Sequence, residues 1–486
     1  MALAPLSRMA AVELVEDDLP TGDLARDPHA EAGAPELDAG TLTPHPAGSR
    51  SLTRAARRWW PVTVPLVLVL AVGSVMQARN EDARLERLAG VPGLARPLDG
   101  PPVERWRHPV AAGDKALAAG GAVAVVGIRQ GAWQVSSLDA RTGAERWTTS
   151  LGTVPQAAAE AQGPDCPSAG ADVGPYLVCL VRTPPPVYAE AGDAAATPVR
   201  VVALDSADGS VSGEWEVTGE VALIARRGDG VVLVTRDSEG YLHAALRDPL
   251  TGAAEWAYRS RQSNSADGYI SAPTAALTAE HVVLGGSGTV VLDAEDGAEL
   301  YWATHLSFVQ AGSDADRFGT WSTARGGALH GPSGRRLRDL PSLPVRPAVD
   351  DGTADDIVVL DAGREISAAA AFSGKQLWTL GTDLDPAVIV DGQVILAAPG
   401  RQVSVDAHTG EVAWDVETDL TLPPVSDGSL VLTAELGPDG APQLVARGIA
   451  DGVRYWSAPL PHGTSLVSVE GGNLLAWTAD ELVLLG

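Results

Sequence analysis

Leu138-Asp139-Ala140-Arg141-Thr142-Gly143-Ala144-Glu145-Arg146-Trp147 joins the end of an apolar run to a tryptophan through an Asp-x-x-Thr-Gly turn. Close relatives follow at Leu250-Thr251-Gly252-Ala253-Ala254-Glu255-Trp256 and at Val405-Asp406-Ala407-His408-Thr409-Gly410-Glu411-Val412-Ala413-Trp414. Asp accepts hydrogen bonds from the backbone two residues on, and Gly supplies the positive φ that closes a tight, bulged hairpin. A Trp at one fixed place in each repeat is a large apolar plate of the kind that packs one sheet against the next. One such hairpin cannot bury its own apolar face, so neighbouring copies must stack and share a core.

The tryptophans set the period. Trp106 to Trp147 spans 41 positions, Trp215 to Trp256 41, Trp256 to Trp302 46, Trp378 to Trp414 36 and Trp414 to Trp456 42. About 40 to 45 residues per four-stranded unit is the period of a β-propeller. Short β-branched runs such as Val231-Val232-Leu233-Val234, Ile357-Val358-Val359-Leu360 and Gln393-Val394-Ile395-Leu396, bounded by Gly, Asp and Pro, read as its strands. Trp106, Trp147, Trp215, Trp256, Trp302, Trp378, Trp414 and Trp456 are the expected blade-docking residues. Two units are irregular. The one ending at Trp215 is stretched by residues 162–193, which read as an insertion loop on one rim, and the one at Gly331-Pro332-Ser333-Gly334 has Arg338 where Trp is expected, with Trp321 to fill the gap. A strand at Trp106 without its own hairpin, and three strands after Leu466 without a final Trp, fit a ring whose last sheet is completed by the N-terminal strand. Hairpins plus that closing sheet count to nine; since four to eight blades is usual, the expectation is about eight, within seven to nine.

The segment before the ring divides in three. Residues 1–53 form an acidic tail rich in Ala, Pro and Gly, with no apolar period, and are expected to be disordered. Residues 59–78 carry an uncharged run behind Trp59 and Trp60, with Arg50, Arg54, Arg57 and Arg58 on the N-terminal flank. This reads as one transmembrane helix with the tail in the cytoplasm and the rest outside; a cleaved signal peptide is the rival reading. Residues 79–102, with Pro92, Pro97, Pro101 and Pro102, are expected to be a stiff juxtamembrane linker lifting the propeller, 103–486, off the membrane. The net charge of −27, from 35 Lys and Arg against 62 Asp and Glu, argues against nucleic acid as a partner.

The hairpins ending at Trp147, Trp414 and Trp456 resemble the pyrroloquinoline-quinone-like propeller repeat, whose docking pattern is a small residue, Asp, Thr-Gly, then Trp. The resemblance covers about Glu104 to Gly486 and implies an all-β propeller. That family includes quinone-dependent dehydrogenases, the propeller lipoprotein of outer-membrane protein assembly, and membrane-anchored propellers without catalysis, so it leaves function open. Its dehydrogenases set the quinone over adjacent cysteines with calcium held by carboxylates. Here Cys166 and Cys179 are thirteen residues apart, and are read as a candidate disulfide, the alternative being two free thiols.

The Asp-rich turns Asp205-Ser206-Ala207-Asp208-Gly209 and Asp293-Ala294-Glu295-Asp296-Gly297 lack the spacing of a calcium loop. His243, His281, His305 and His462 lack the spacing of a zinc site, and Gly285-Gly286-Ser287-Gly288 reads as a turn between two strands. No catalytic, cofactor or metal residue is therefore named. The expected protein is a monomeric, single-pass, extracytoplasmic propeller that binds a protein, peptide or cell-envelope ligand. The other reading is a quinone-dependent dehydrogenase, or another small-molecule enzyme, using the central channel.

Overall fold

The computed structural model describes Arg84, Leu88 and residues 90–486, apart from 120, 155–163, 168–173, 183–198, 264–273, 279, 306, 312–316, 348 and 420–421. The acidic tail, the apolar span 59–78 and Pro184-Pro185-Pro186 lie outside the described residues. No helix among the described residues is long and apolar enough to cross a membrane.

All named elements are strands, and they assemble as nine sheets in chain order. Blades 1 to 8 cover 115–153, 165–217, 220–263, 274–303, 308–340, 343–381, 385–417 and 425–459. Blade 9 joins 466–485 to Glu104–Pro109, which pairs antiparallel with Glu481–Leu485 and places Trp106 opposite Leu484. The ring therefore has nine blades and not eight. The hairpin count was the better guide, because each hairpin is a physical unit, whereas the usual range only describes other propellers.

Middle strands are buried on both faces and read as unbroken apolar runs, as in Ala122–Arg129 and Gly230–Arg236. Outer strands alternate, as in Val412–Glu417 with Trp414 turned inward. Successive blades share apolar cores: Leu482 and Leu484 of blade 9 meet Val123 and Val125 of blade 1, and Leu432 and Leu444 of blade 8 meet Val467 and Leu474 of blade 9. Each such side chain contributes about 1.5–3 kcal/mol when fully buried. The ring is thus held by sheet-to-sheet packing more than by its turns.

Every hairpin between the third and fourth strands of blades 1 to 8 carries the same bulge, from Ser137/Leu138 and Ser404/Val405 to Leu329/His330 in the irregular blade 5. In the first copy Gly143 has φ +69° and its N–H donates to the Asp139 carbonyl at 2.8 Å. Asp139 Oδ1 accepts from the N–H groups of Arg141 and Thr142 and from the Thr142 hydroxyl. The Thr142 hydroxyl first, with those backbone donors, holds the Asp139 carboxyl below its ordinary range.

Two segments depart from the sequence expectation. Residues 88–98 are not a free-standing linker. Leu88, Leu94 and Ala95 are buried, Leu94 bridges in parallel to Ser426 on the inner edge of blade 8, and the Arg96 N–H reaches the Gly472 carbonyl of blade 9 at 2.9 Å. The apolar side chains of Leu88 and Leu94 find partners in Val388, Val390 and Val431, which outweighs the extended preference of Pro92 and Pro97. Within the stretched unit, residues 164–167 stand on the inner edge of blade 2, where Asp165 exchanges backbone hydrogen bonds with Leu180, and Tyr176–Arg182 is a strand, while 162–163, 168–173 and 183–193 lie outside the described residues.

Candidate functional site

The eight tryptophans fall into two groups. Six lay the indole over the turn glycine of the next blade. Trp106 covers Gly143, Trp147 covers Gly209, Trp215 covers Gly252, Trp256 covers Gly297, Trp378 covers Gly410 and Trp414 covers Gly452; a Cβ at any of these glycines would stand within 2.7 Å of the ring. Each indole N–H donates to the carbonyl three residues before that glycine, at 2.8 Å for Trp378 to Ala407 and for Trp414 to Ile449. These residues fix one blade to the next.

Trp302 and Trp456 stand differently. The turn before which Trp456 would dock does not exist, because blade 9 takes its last strand from the other end of the chain. The blade 5 turn tucks Gly334 under the Leu300 backbone, where a Cβ would be 1.7 Å from the carbonyl oxygen, and Trp302 packs back into the core of blades 3 and 4 beneath Arg261.

That junction opens an irregular sector. Between blades 4 and 5 the packing is aromatic: Phe318 stacks on His330 at 4.8 Å and takes His281 edge-on at 5.1 Å, while Tyr301 meets His330 at 4.9 Å. His330 Nδ1–H faces the Gly334 carbonyl at 3.1 Å, which leaves Nε2 to accept from the Thr320 hydroxyl at 3.0 Å, and burial pushes the His330 pKa down. Between blades 5 and 6, Arg338 and not Trp321 occupies the docking position. Its Cδ lies against Gly374, and its Nε and Nη2 both donate to the Phe372 carbonyl, the former at 2.8 Å. A planar cation with N–H groups does what the indole does elsewhere. Trp321 instead packs on Phe308 of the inner strand at 6.3 Å.

Apolar side chains are exposed at this seam, as Val412, Val453 and Tyr455 are on other blades. Phe372 is 70% exposed with the Arg317 guanidinium over its ring at 3.9 Å, and Leu337 and Leu377 are also exposed. On the inner side a narrow cleft, partly open to solvent, runs between blades 5, 6 and 7. Its walls are Leu329, Val345, Ile357, Val359 and Ile389, and its polar groups are Gln310, Arg346 and Asp350. The cleft exists because blade 6 has an inner strand of only two residues, Leu343–Pro344, after which the chain crosses and adds Val349–Asp350 in parallel to the inner edge of blade 7. The Asp350 side chain is 5% exposed and burial pushes its pKa up; Arg346 Nε lies 3.7 Å away.

The remaining sequence candidates are used by the fold. Cys166 and Cys179 form a disulfide that ties the inner edge of blade 2 to its next strand. Asp205 and Asp208, and likewise Asp293 and Asp296, accept from backbone N–H groups of their own turns at 2.7–2.8 Å. His243 pairs with Asp237 at 2.8 Å. Among the described residues no three His, Cys, Asp or Glu side chains come together as a metal site. Glu470, at the end of the blade 9 inner strand, is pushed up to about 7 by burial, and nothing in the sequence pattern marked it. The cleft was equally hidden, since it arises from a crossing between blades and not from a motif.

Residues 131–325 match the family model described as outer membrane protein assembly factor BamB. No curated protein matches the chain. Solved structures with the same fold include BamB from Moraxella catarrhalis, 17% identical over 79% of this chain and 99% of that one, TM-score 0.43. Another is the quinohemoprotein alcohol dehydrogenase ADHIIG from Pseudomonas putida HK5, 12% identical over 83% of this chain and 81% of that one, TM-score 0.43.

Proposed function

We propose that this chain, a β-propeller of pyrroloquinoline-quinone-like repeats, is a single-pass membrane-anchored scaffold whose extracytoplasmic ring holds a protein, peptide or cell-envelope ligand without transforming it. The observation that carries the reading is the irregular sector of blades 5 and 6, where Phe372, Leu337 and Leu377 stay exposed beside the replaced docking residue. Exposed apolar side chains grouped together mark interaction surfaces more often than bare fold does. The regular blades supply a rigid frame for it. A disulfide at Cys166–Cys179 suits an oxidising compartment outside the cytoplasm, and the family model matched by residues 131–325 is described as an outer membrane protein assembly factor.

The test is crosslinking of the full-length chain in its own membranes, followed by affinity capture. A reproducible partner, lost when Phe372 and Leu377 are changed to Ser, is the expected result. In parallel, pyrroloquinoline quinone and calcium are added to the purified protein and dye reduction is followed; turnover there, with no partner captured, would replace the scaffold by a quinone enzyme.

A further inference from the structure

We propose that the cleft between blades 5, 6 and 7 is a socket for a primary alkylammonium group, the side chain of a lysine in an extended peptide, with Asp350 as the anion at its foot. The socket rests on the scaffold reading and names the chemistry of the partner that the same sector receives.

The walls suit the stem of such a side chain. Leu329, Val345, Ile357, Val359 and Ile389 present aliphatic surface, and a four-carbon stem buries readily along it while its charge seeks a polar end. The foot suits the charge. Asp350 Oδ1 accepts one hydrogen bond, from the Gly352 N–H at 3.0 Å, and Oδ2 has Arg346 Nε at 3.7 Å, outside hydrogen-bond distance. A carboxylate so deeply buried is stable only when paired and hydrogen-bonded, and burial outweighs its present partners, which pushes its pKa up. The other charges facing it are the carboxylates of Asp351 and Asp355. Asp351 is committed to the Thr353 and Asp391 N–H groups at 2.9 Å each, whereas Asp355 Oδ1 is buried without a partner. Among the described residues three carboxylates face one guanidinium, so the foot favours a cation over a neutral or anionic head. An ammonium, compact and with three donors, suits a narrow cleft better than a second planar guanidinium.

The mouth suits a peptide. Phe308 is 57% exposed, packs on Trp321, and lies two residues from Gln310 on the same inner strand, so both side chains point to the same face. This aromatic step offers a stacking surface to the residue next to the lysine, and the Gln310 amide can bond to its backbone. Residues 103–486 alone carry 25 Lys and Arg against 49 Asp and Glu, a net charge of −24, which attracts such a cationic ligand at long range.

The probe is the pentapeptide acetyl-Gly-Phe-Lys-Phe-Gly-amide, titrated calorimetrically into the full chain in detergent beside the same peptide with norleucine for lysine. Norleucine keeps the stem and removes the charge. The lysine peptide is expected to bind at least roughly tenfold more tightly, Asp350→Asn to abolish that preference, and Arg346→Gln to strengthen lysine binding by removing the competing cation. Equal affinity for the two peptides, or a preference that survives Asp350→Asn, overturns the socket. Should Asp350→Asn fail to fold, Arg346→Gln decides: no gain in lysine affinity rejects the assignment. Absence of binding by either peptide also rejects it, and does so without touching the membrane crosslinking result, so the socket and the scaffold fail separately.

Discussion

Blade 7 holds blade 8 with Trp414, and blade 5 holds blade 6 with Arg338, yet the two side chains perform the same local act. Each lays a flat group against a turn glycine, Gly452 or Gly374, and donates N–H to a carbonyl just before it. What differs is the apolar area brought along. Trp414 is buried in a core with Val388, Ile395, Val431 and Ile449, whereas the buried core of the blade 5–6 seam is Leu329, Leu340, Leu360 and Ala369. The docking position therefore has two separable components, a hydrogen bond that sets the angle between blades and a plate that seals the seam.

The largest break in this comparison comes from deleting a plate. Trp147→Ala or Trp414→Ala is expected to cost on the order of 3 kcal/mol or more in denaturant-unfolding stability. Arg338→Ala, which removes hydrogen bonds at a half-exposed position, is expected to cost about 1 kcal/mol. If Arg338→Ala matched the tryptophan losses, the two components would not be separable in the way the seams imply. Between these two in size, Cys166→Ala with Cys179→Ala is expected to cost about 2 kcal/mol, because the bridge closes a short loop across the inner edge of blade 2. An unchanged denaturation midpoint would show that the hydrogen bonds between Asp165 and Leu180 hold that edge without it.

The remaining effects are those of pH. His330 has its folded pKa pushed down, so the unfolded chain takes up the proton first. Stability should then fall as pH drops below about 6.5, the ordinary histidine value, and His330→Phe should flatten that limb. Glu470 works in the opposite sense. Its folded pKa is raised to about 7, so the folded chain keeps a proton that the unfolded chain has released, and stability declines from about pH 4.5 to 7. Glu470→Gln should accordingly raise the melting temperature at pH 8 and leave it unchanged at pH 4. A gain of the same size at both pH values would mean that the effect is packing and not ionisation.

The ring could be read from the sequence because its repeated unit is local. The Asp139 to Trp147 hairpin fixes turn, bulge and plate within ten residues; its bulge recurs in seven more hairpins and its Trp in six of them. The closure by Trp106 was legible for the same reason, as a fourth strand lacking its third. What escaped the sequence depends on distant pairing. Leu94 meeting Ser426, Val349 meeting Val388, and Arg338 standing in for an indole are each choices between partners far apart in the chain. Trp302 and Trp456 differ from the other six in having no turn glycine beneath the indole, yet both pack against cores shared by two blades. The cleft at Asp350 follows from the crossing between blades 6 and 7, which has no motif.

The central claim is that the regular blades are frame and the irregular sector is the working surface. It is tested most directly by placing a photo-crosslinking amino acid at Phe372, at Phe308 or at Val453 of the full-length chain in its native membrane. All three positions are exposed, but Val453 belongs to a regular blade. Adducts with one partner from positions 372 and 308, and none from 453, are the predicted result; an adduct from 453 with none from the other two would contradict it.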